Sequence, residues 1–343
     1  LYKVSTRGYN NRLYYLRVKA PSTSEEQETA VTTGRDEEEE YIIKICGRYW
    51  HRIKTETEVV GKTYAHLPTP MICEWDADGR VFGVEYTVMP KLPGVPLNLI
   101  WKDLARDQKR DMVQQLAQKV IQFKAKIPHD IFPQGKIGNW VAVAETEEGK
   151  ANKLVRFDVG PILEGDEPWG TYKAYYRTEL TTQLKIARRQ KILQGSSALW
   201  PRVEILLDHL DKDDTGFVFT HGDLDAQNLL IRPDASTITA ILDWERSGMF
   251  PAEDEYFISY GFLGNIQDED SDLPMFYDLL EQGGVLTPRT IPHYGQRKLL
   301  YDIKENIAPW FLLDHSEPDR EKVQTQVKCA AGTVESCLRK LGY

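Results

Sequence analysis

The 343-residue sequence predicts an α+β chain in which a small β-rich part precedes a larger, mostly helical one. Three observations lead there. Runs of β-branched and aromatic residues at Leu13–Val18, Tyr41–Cys46, Met71–Trp75 and Val81–Met89 all fall within the first ninety residues. From residue 107 onward, apolar residues recur at helical spacing in several long segments. One short hairpin, Leu229–Ile231 with Ile238–Leu242, interrupts them late in the chain.

Composition narrows the class. A hydrophobic content of 41% with 28% charged residues belongs to a soluble globular chain able to bury a substantial core, as one large domain or two lobes. A net charge of −9 argues against nucleic-acid binding and leaves room for a cationic ligand. Cys46, Cys73, Cys329 and Cys337 are scattered without a C-x-x-C pair, which points to reduced thiols in the cytoplasm. No apolar run approaches the ~18 residues of a membrane span, so no membrane partner is expected. The sequence opens at Leu1 rather than Met, which leaves room for a native segment before it.

In chain order, the polar loop Thr6–Asn11 leads into the first strand, and Pro21–Glu40, Ser/Thr-rich and then acidic, reads as a solvated extension of the turn that follows. Lys44 stands inside an otherwise apolar strand, so it either faces solvent at an edge or is buried against an anion. His51–His66 reads as a helix whose apolar face, Val59, Val60 and Tyr64, also carries Glu56, while Glu58 points the other way. Asp76-Ala-Asp-Gly79 reads as a tight turn joining the next two strands. Asp107–Ile127 carries the stripe Met112, Leu116, Val120, Phe123 and stops at Pro128. A helix with aromatics at its start, Tyr172–Tyr176 after Trp169, is expected to run to about Gln194, and those rings are read first as core. Pro201–Leu210 and Asp319–Leu341 complete the helical pattern.

The chemistry concentrates between Gly216 and Glu245. A short apolar run ends abruptly at His221-Gly222-Asp223, Asn228 opens the first strand of the hairpin, and Asp243 closes the second. Two carboxylates and an amide are oxygen ligands suited to Mg²⁺. Phosphoryl transfer needs such a set, with one carboxylate for the attacking hydroxyl and an Asp and Asn for the metal. Any one of these residues alone is an ordinary turn residue. The spacing H-G-D-L-x-x-x-N, then a hairpin, then I-L-D-W-E, is hard to reach by chance.

This stretch resembles the catalytic core of the aminoglycoside phosphotransferase and choline kinase-like family, the small-molecule branch of the protein-kinase-like fold. Protein kinases carry H-R-D, D-F-G and A-P-E, whereas this chain has Gly222 after the histidine, Trp244 after the metal aspartate and no A-P-E. The resemblance implies a bilobal fold, with a nucleotide-binding lobe over residues 1–92 and a mostly helical lobe over residues 93–343. It implies ATP or GTP with Mg²⁺ as cofactors and a small-molecule hydroxyl as acceptor, a cationic one being suggested by the acidic clusters, in a cytoplasmic monomer. In these terms Asp223 serves the acceptor hydroxyl, His221 braces the same loop, and Asn228 and Asp243 hold the metal. Lys44 holds the nucleotide phosphates and pairs with Glu56, with Glu58 as second choice. Met89-Pro-Lys-Leu92 resembles the hinge, Met89 as gatekeeper, Pro90 offering its carbonyl and Leu92 its N–H to the base. A nucleotide-binding scaffold without turnover, and a protein kinase, are the alternatives.

Overall fold

The computed structural model describes residues 2–3, 11–19, 38–46, 69–76, 79–126, 138–145, 154–160, 169–210, 217–265, 267–309 and 320–343. Its strands are β1 (Tyr2–Lys3), β2 (Asn11–Lys19), β3 (Glu38–Cys46), β4 (Glu74–Asp76), β5 (Tyr86–Pro90), β6 (Val95–Pro96), β7 (Gly138–Glu145), β8 (Leu154–Gly160), β9 (Phe217–Thr220), β10 (Leu229–Ile231), β11 (Ile238–Ile241) and β12 (Gly248–Pro251). Its helices are α1 (Arg106–Lys126), α2 (Tyr172–Arg189), α3 (Trp200–Asp208), α4 (Asp254–Ile258), α5 (Leu273–Gln282), α6 (Tyr294–Ile307) and α7 (Arg320–Leu341).

The first five strands form an antiparallel sheet in the order β1-β2-β3-β5-β4. β3 is inside this sheet, so Lys44 lies between Leu13 on β2 and Thr87 on β5 and is buried. The strands expected at Leu13–Val18 and Tyr41–Cys46 are present and longer. The acidic run does not end in a solvated turn, because Glu38–Glu40 begin β3. Glu40 accepts from Arg17 on β2 at 3.2 Å and from Lys91, just past β5, at 2.8 Å.

The second strand of the next hairpin also starts later than its apolar residues suggest. Val81, Phe82 and Val84 are exposed, Phe82 by 72%, and β5 begins only at Tyr86. The cause is a wider turn. Asp76 accepts the N–H of Val81 at 2.7 Å, and Gly79 and Gly83 both take the left-handed backbone open to glycine.

Two further sheets hold the remainder together. β6, immediately after the expected hinge, pairs with β10, giving the order β11-β10-β6. β12 pairs with β9 and β7, giving β8-β7-β12-β9. The Gly248–Thr220 pairing brings the chain just after Asp243 beside the chain just before His221. Residues twenty positions apart therefore share one loop cluster.

One core lies beneath that cluster. The α1 stripe of Met112, Leu116, Val120 and Phe123 is fully buried against Phe219, Leu229, Ile241, Trp244, Phe276 and Leu280. A second core joins α2, α3, α6 and α7 through Tyr176, Leu180, Val203, Ile303 and Leu338. Trp169 and Tyr172, Tyr175 and Tyr176 belong to it, the packing role expected of them. α2 stops at Arg189, where Gln190 turns extended, and a 3-10 stretch, Lys191–Leu199, replaces its expected last turn. Among the described residues no helix is long and apolar enough to cross a membrane.

Candidate active site

The loop after β9 is held from three sides. Gly222 has φ +75°, and a Cβ there would meet the Arg246 carbonyl at 2.9 Å, so the position needs glycine twice over. His221 is fully buried with its ring 4.5 Å from that of Trp244. Its Nδ1 accepts the Asp223 N–H at 3.3 Å, which leaves the proton on Nε2, 3.0 Å from the Leu242 carbonyl. Burial lowers its pKa, in keeping with this neutral form. Both ring nitrogens are thus spent on the backbone of the two loops.

Asp223 follows. Burial pushes its carboxyl up to about 6, Arg246 opposes the shift, and Asp243 and Glu245 add to it. Asn228 is buried and its Nδ2 donates to the Asp223 carbonyl at 2.7 Å. The Asn228 carbonyl accepts the Leu242 N–H at 2.8 Å, so this residue ties the loop to the end of the hairpin.

Asp243 sits where the hairpin ends, with φ 62° and ψ 60°, a left-handed conformation that Asp tolerates better than most residues. It opens a one-turn 3-10 helix, Trp244–Arg246. Trp244 is driven into the core, where its Nε1 donates to the Ile241 carbonyl at 3.1 Å and its ring lies against Phe123 and Phe219. Its neighbours on either side, Asp243 and Glu245, both meet Lys44. The Lys44 Nζ lies 2.8 Å from Asp243 Oδ1 and 3.3 Å from Glu245 Oε2. Lys44 and Glu245 are each 6% exposed at the side chain, and Asp243 is 31% exposed.

Farther along the same pair of strands, Met89 is buried opposite Ile42, and Pro90 stands opposite Tyr41. The Lys91 N–H donates to the Glu40 carbonyl at 2.8 Å, which makes Tyr41 and Pro90 a non-hydrogen-bonded pair. The Pro90 carbonyl therefore points away from β3, and its missing N–H leaves no gap in the ladder. The Leu92 N–H has no backbone partner among the described residues. Glu56, the runner-up Glu58 and residues 4–10 lie outside the described residues.

The structure thus brings Lys44, His221, Asp223, Asn228 and Asp243 to one place. It also adds residues whose roles the sequence did not disclose. Glu255, in the first turn of α4, is fully buried. It accepts the His221 N–H at 2.9 Å and lies 3.4 Å from the Nζ of Lys124, which also donates to the Phe219 carbonyl. The available signal was the place of Lys124, four residues after Val120 at the margin of the α1 stripe. Beside it Glu253 pairs with buried Arg297. Asp254 accepts from the Tyr175 hydroxyl at 3.0 Å, and burial, with Glu253 adding to it, pushes its pKa to about 8. None of these three carboxylates is a solvated helix-start residue.

Known proteins share this fold. Residues 17–273 match the phosphotransferase enzyme family, APH. No curated protein matches the chain. The gentamicin complex of APH(2")-IIa superposes with a TM-score of 0.54 at 12% identity, over 87% of this chain and 86% of that one. ADP-bound aminoglycoside phosphotransferase APH(2'')-Ib gives 0.52 at 12% identity over 96% and 95%. A thermostable mutant of aminoglycoside phosphotransferase APH(4)-Ia, in ternary complex with ADP and hygromycin B, gives 0.51 at 12% identity over 98% and 92%. The fold is the bilobal, kinase-like one, with a small antiparallel sheet and a mostly helical remainder. Since the match spans three quarters of the chain, this protein belongs to the APH phosphotransferase enzyme family.

Proposed function

We propose that this phosphotransferase moves the γ-phosphate of ATP to a hydroxyl of a small molecule and releases ADP. The hydrogen bonds and ion pair that gather Lys44, Asp223, Asn228 and Asp243 in one loop cluster are the observation that carries the reading. The nucleotide would lie between residues 1–92 and residues 93–343. The Pro90 carbonyl and the Leu92 N–H would read the base beside Met89, and Lys44, with Glu56 as its partner, would hold the phosphates.

Asp243 and Asn228 would hold Mg²⁺. Both offer oxygen, and the Asp243 carboxylate already draws a cation, the Lys44 ammonium, to 2.8 Å. Mg²⁺ held by one or two protein oxygens takes its remaining ligands from water and substrate phosphates. Bound there, Mg²⁺ would offset the charge on the transferred phosphoryl group.

Asp223 accepts the proton of the acceptor hydroxyl. As it does so, that oxygen bonds to the γ-phosphorus, and the bond from phosphorus to the bridging oxygen of ADP breaks. A pKa of about 6 leaves the carboxylate ionised at neutral pH and more basic than an exposed aspartate. His221, with both nitrogens committed to backbone, braces the loop.

The ADP and AMP-PNP held by structural neighbours support ATP over GTP. Their gentamicin and hygromycin B support trying amino sugars first as acceptors, before choline-like amines and simple sugars. A cytoplasmic location is supported by the free thiols of Cys73, Cys329 and Cys337. The test is ADP release from Mg·ATP across that acceptor panel, with Asp223→Ala alongside. Acceptor-dependent release by the parent, lost in the variant while ATP binding persists, is the expected result. Tight nucleotide binding with no transfer to any acceptor would favour the scaffold, and no nucleotide binding would end the assignment.

A further inference from the structure

Among the described residues the Lys44 ammonium meets two carboxylates that the fold treats differently. Asp243 is nearly a third exposed, whereas Glu245 is buried to the same degree as the lysine it meets. Glu245 has little freedom to move. The residue before it fills the core, and the Ser247 N–H and hydroxyl both donate to the Trp244 carbonyl, at 3.0 and 2.6 Å, locking the turn that carries it.

On the reading that Mg²⁺ and ATP enter this cleft, the metal competes with Lys44 for Asp243. A divalent ion on that carboxylate weakens its hold on an ammonium 2.8 Å away, and the arriving phosphates draw Lys44 toward themselves. Among the described residues Glu245, 3.3 Å off and out of water, keeps an opposite charge beside the lysine, in addition to the Glu56 proposed above. We infer that Glu245 is a positioning residue for Lys44: it holds the ammonium at the mouth of the phosphate site before and after Asp243 passes from lysine to metal. The inference rests on the phosphotransferase reading of Lys44 and goes beyond it, because it assigns the buried carboxylate of D-W-E to the lysine and the exposed one to the metal.

The two carboxylates then make opposite demands on nucleotide binding. Loss of Glu245 weakens the lysine's hold on phosphate whether or not metal is present. Loss of a metal ligand weakens only the metal-dependent part. The experiment is calorimetric titration of ADP into the full chain, once with EDTA and once with Mg²⁺, for the parent, Glu245→Gln, Glu245→Asp, Lys44→Met and the Lys44→Met/Glu245→Gln double variant.

The expected result is a loss of about tenfold in metal-free ADP affinity for Glu245→Gln, equal to roughly 1.4 kcal/mol. Glu245→Asp should recover part of it, and Glu245→Gln should add nothing in the Lys44→Met background. The KM for ATP should rise by a similar factor, with kcat and the Mg²⁺ concentration for half-maximal rate little changed. Unchanged metal-free affinity combined with a raised Mg²⁺ requirement would overturn the inference and make Glu245 a metal ligand. Additive losses in the double variant would overturn it too, by separating Glu245 from Lys44. A parent that binds ADP under neither condition would remove the phosphotransferase reading itself, and the inference with it. Because affinity is read on folded protein, a lowered melting temperature in Glu245→Gln leaves each of these outcomes decisive.

Discussion

Two lysine–carboxylate pairs adjoin the same loop cluster, and they differ in what surrounds them. Lys124 and Glu255 meet at 3.4 Å beside the His221 backbone, with Glu255 wholly inside and also accepting the His221 N–H. Lys44 and Asp243 meet at 2.8 Å, with Asp243 partly in solvent. The first pair is surrounded by partners that have nowhere to go: Phe219 offers its carbonyl to Lys124, and Ser259 and Tyr260 stand near Glu255. A buried ion pair of that kind is fixed, because removing one member strands the other. The second pair has an open side, so an incoming cation and anion can exchange with it. Exposure, more than distance, separates a support from a site.

This contrast can be broken experimentally. Asp243→Ala should reduce turnover by about 10³-fold or more, the scale of losing an electrostatic stabiliser aimed at the transition state. Its effect on the urea midpoint should stay small, as expected for a partly solvated pair. Glu255→Ala should do the reverse in kind, lowering unfolding free energy by about 3–5 kcal/mol through stranded Lys124 and the unmet His221 N–H. Urea titrations of both variants check the pair of outcomes. If Asp243→Ala destabilised as much as Glu255→Ala, the distinction would fail.

The next effect is smaller and carries a sign. The Asp223 carboxyl binds its proton more tightly in the folded chain, so the free protein loses stability as pH rises from 3.8 to about 6, and the loss stays complete above that. At 1.36 kcal/mol per pH unit this amounts to roughly 2–3 kcal/mol. Asp223→Asn should therefore stabilise the free protein by roughly 2 kcal/mol at pH 8 and hardly at all at pH 4, while transfer is lost. Parallel denaturation curves at the two pH values test it. In the parent, kcat/KM should fall below about pH 6 as the same group protonates. The smallest change is Gly222→Ala, expected to lower stability by about 1–2 kcal/mol from its left-handed backbone. It should also lower kcat, because the Arg246 carbonyl has to move aside.

Much of the Lys44 side was readable before any coordinates. Lys44 declared itself as a lysine in an apolar strand, and H-G-D-L-x-x-x-N with D-W-E kept its members within twenty-five residues. The other pair was hidden because Lys124 and Glu255 stand 131 positions apart and each looks like an ordinary surface residue. Only the packing of α1 beneath β9 brings them together. Glu245 was visible as a letter of the motif, but its lysine contact depends on the left-handed turn at Asp243, which no side-chain pattern encodes. Val81, Phe82 and Val84 misled in the other direction. Apolar alternation read as strand, while two glycine turns and the Asp76 carboxylate kept those residues in solvent. At Pro90 the direction of the carbonyl came from strand register, which composition leaves open.

The exchange at Asp243 is the claim on which the rest turns, and a crystal structure with Mg²⁺ and a non-hydrolysable ATP analogue reads it directly. The account predicts an Asp243 oxygen about 2.0–2.1 Å from the metal, with the Lys44 ammonium moved onto phosphate and still beside Glu245. A metal held away from Asp243, with Lys44 unmoved on that carboxylate, would contradict it.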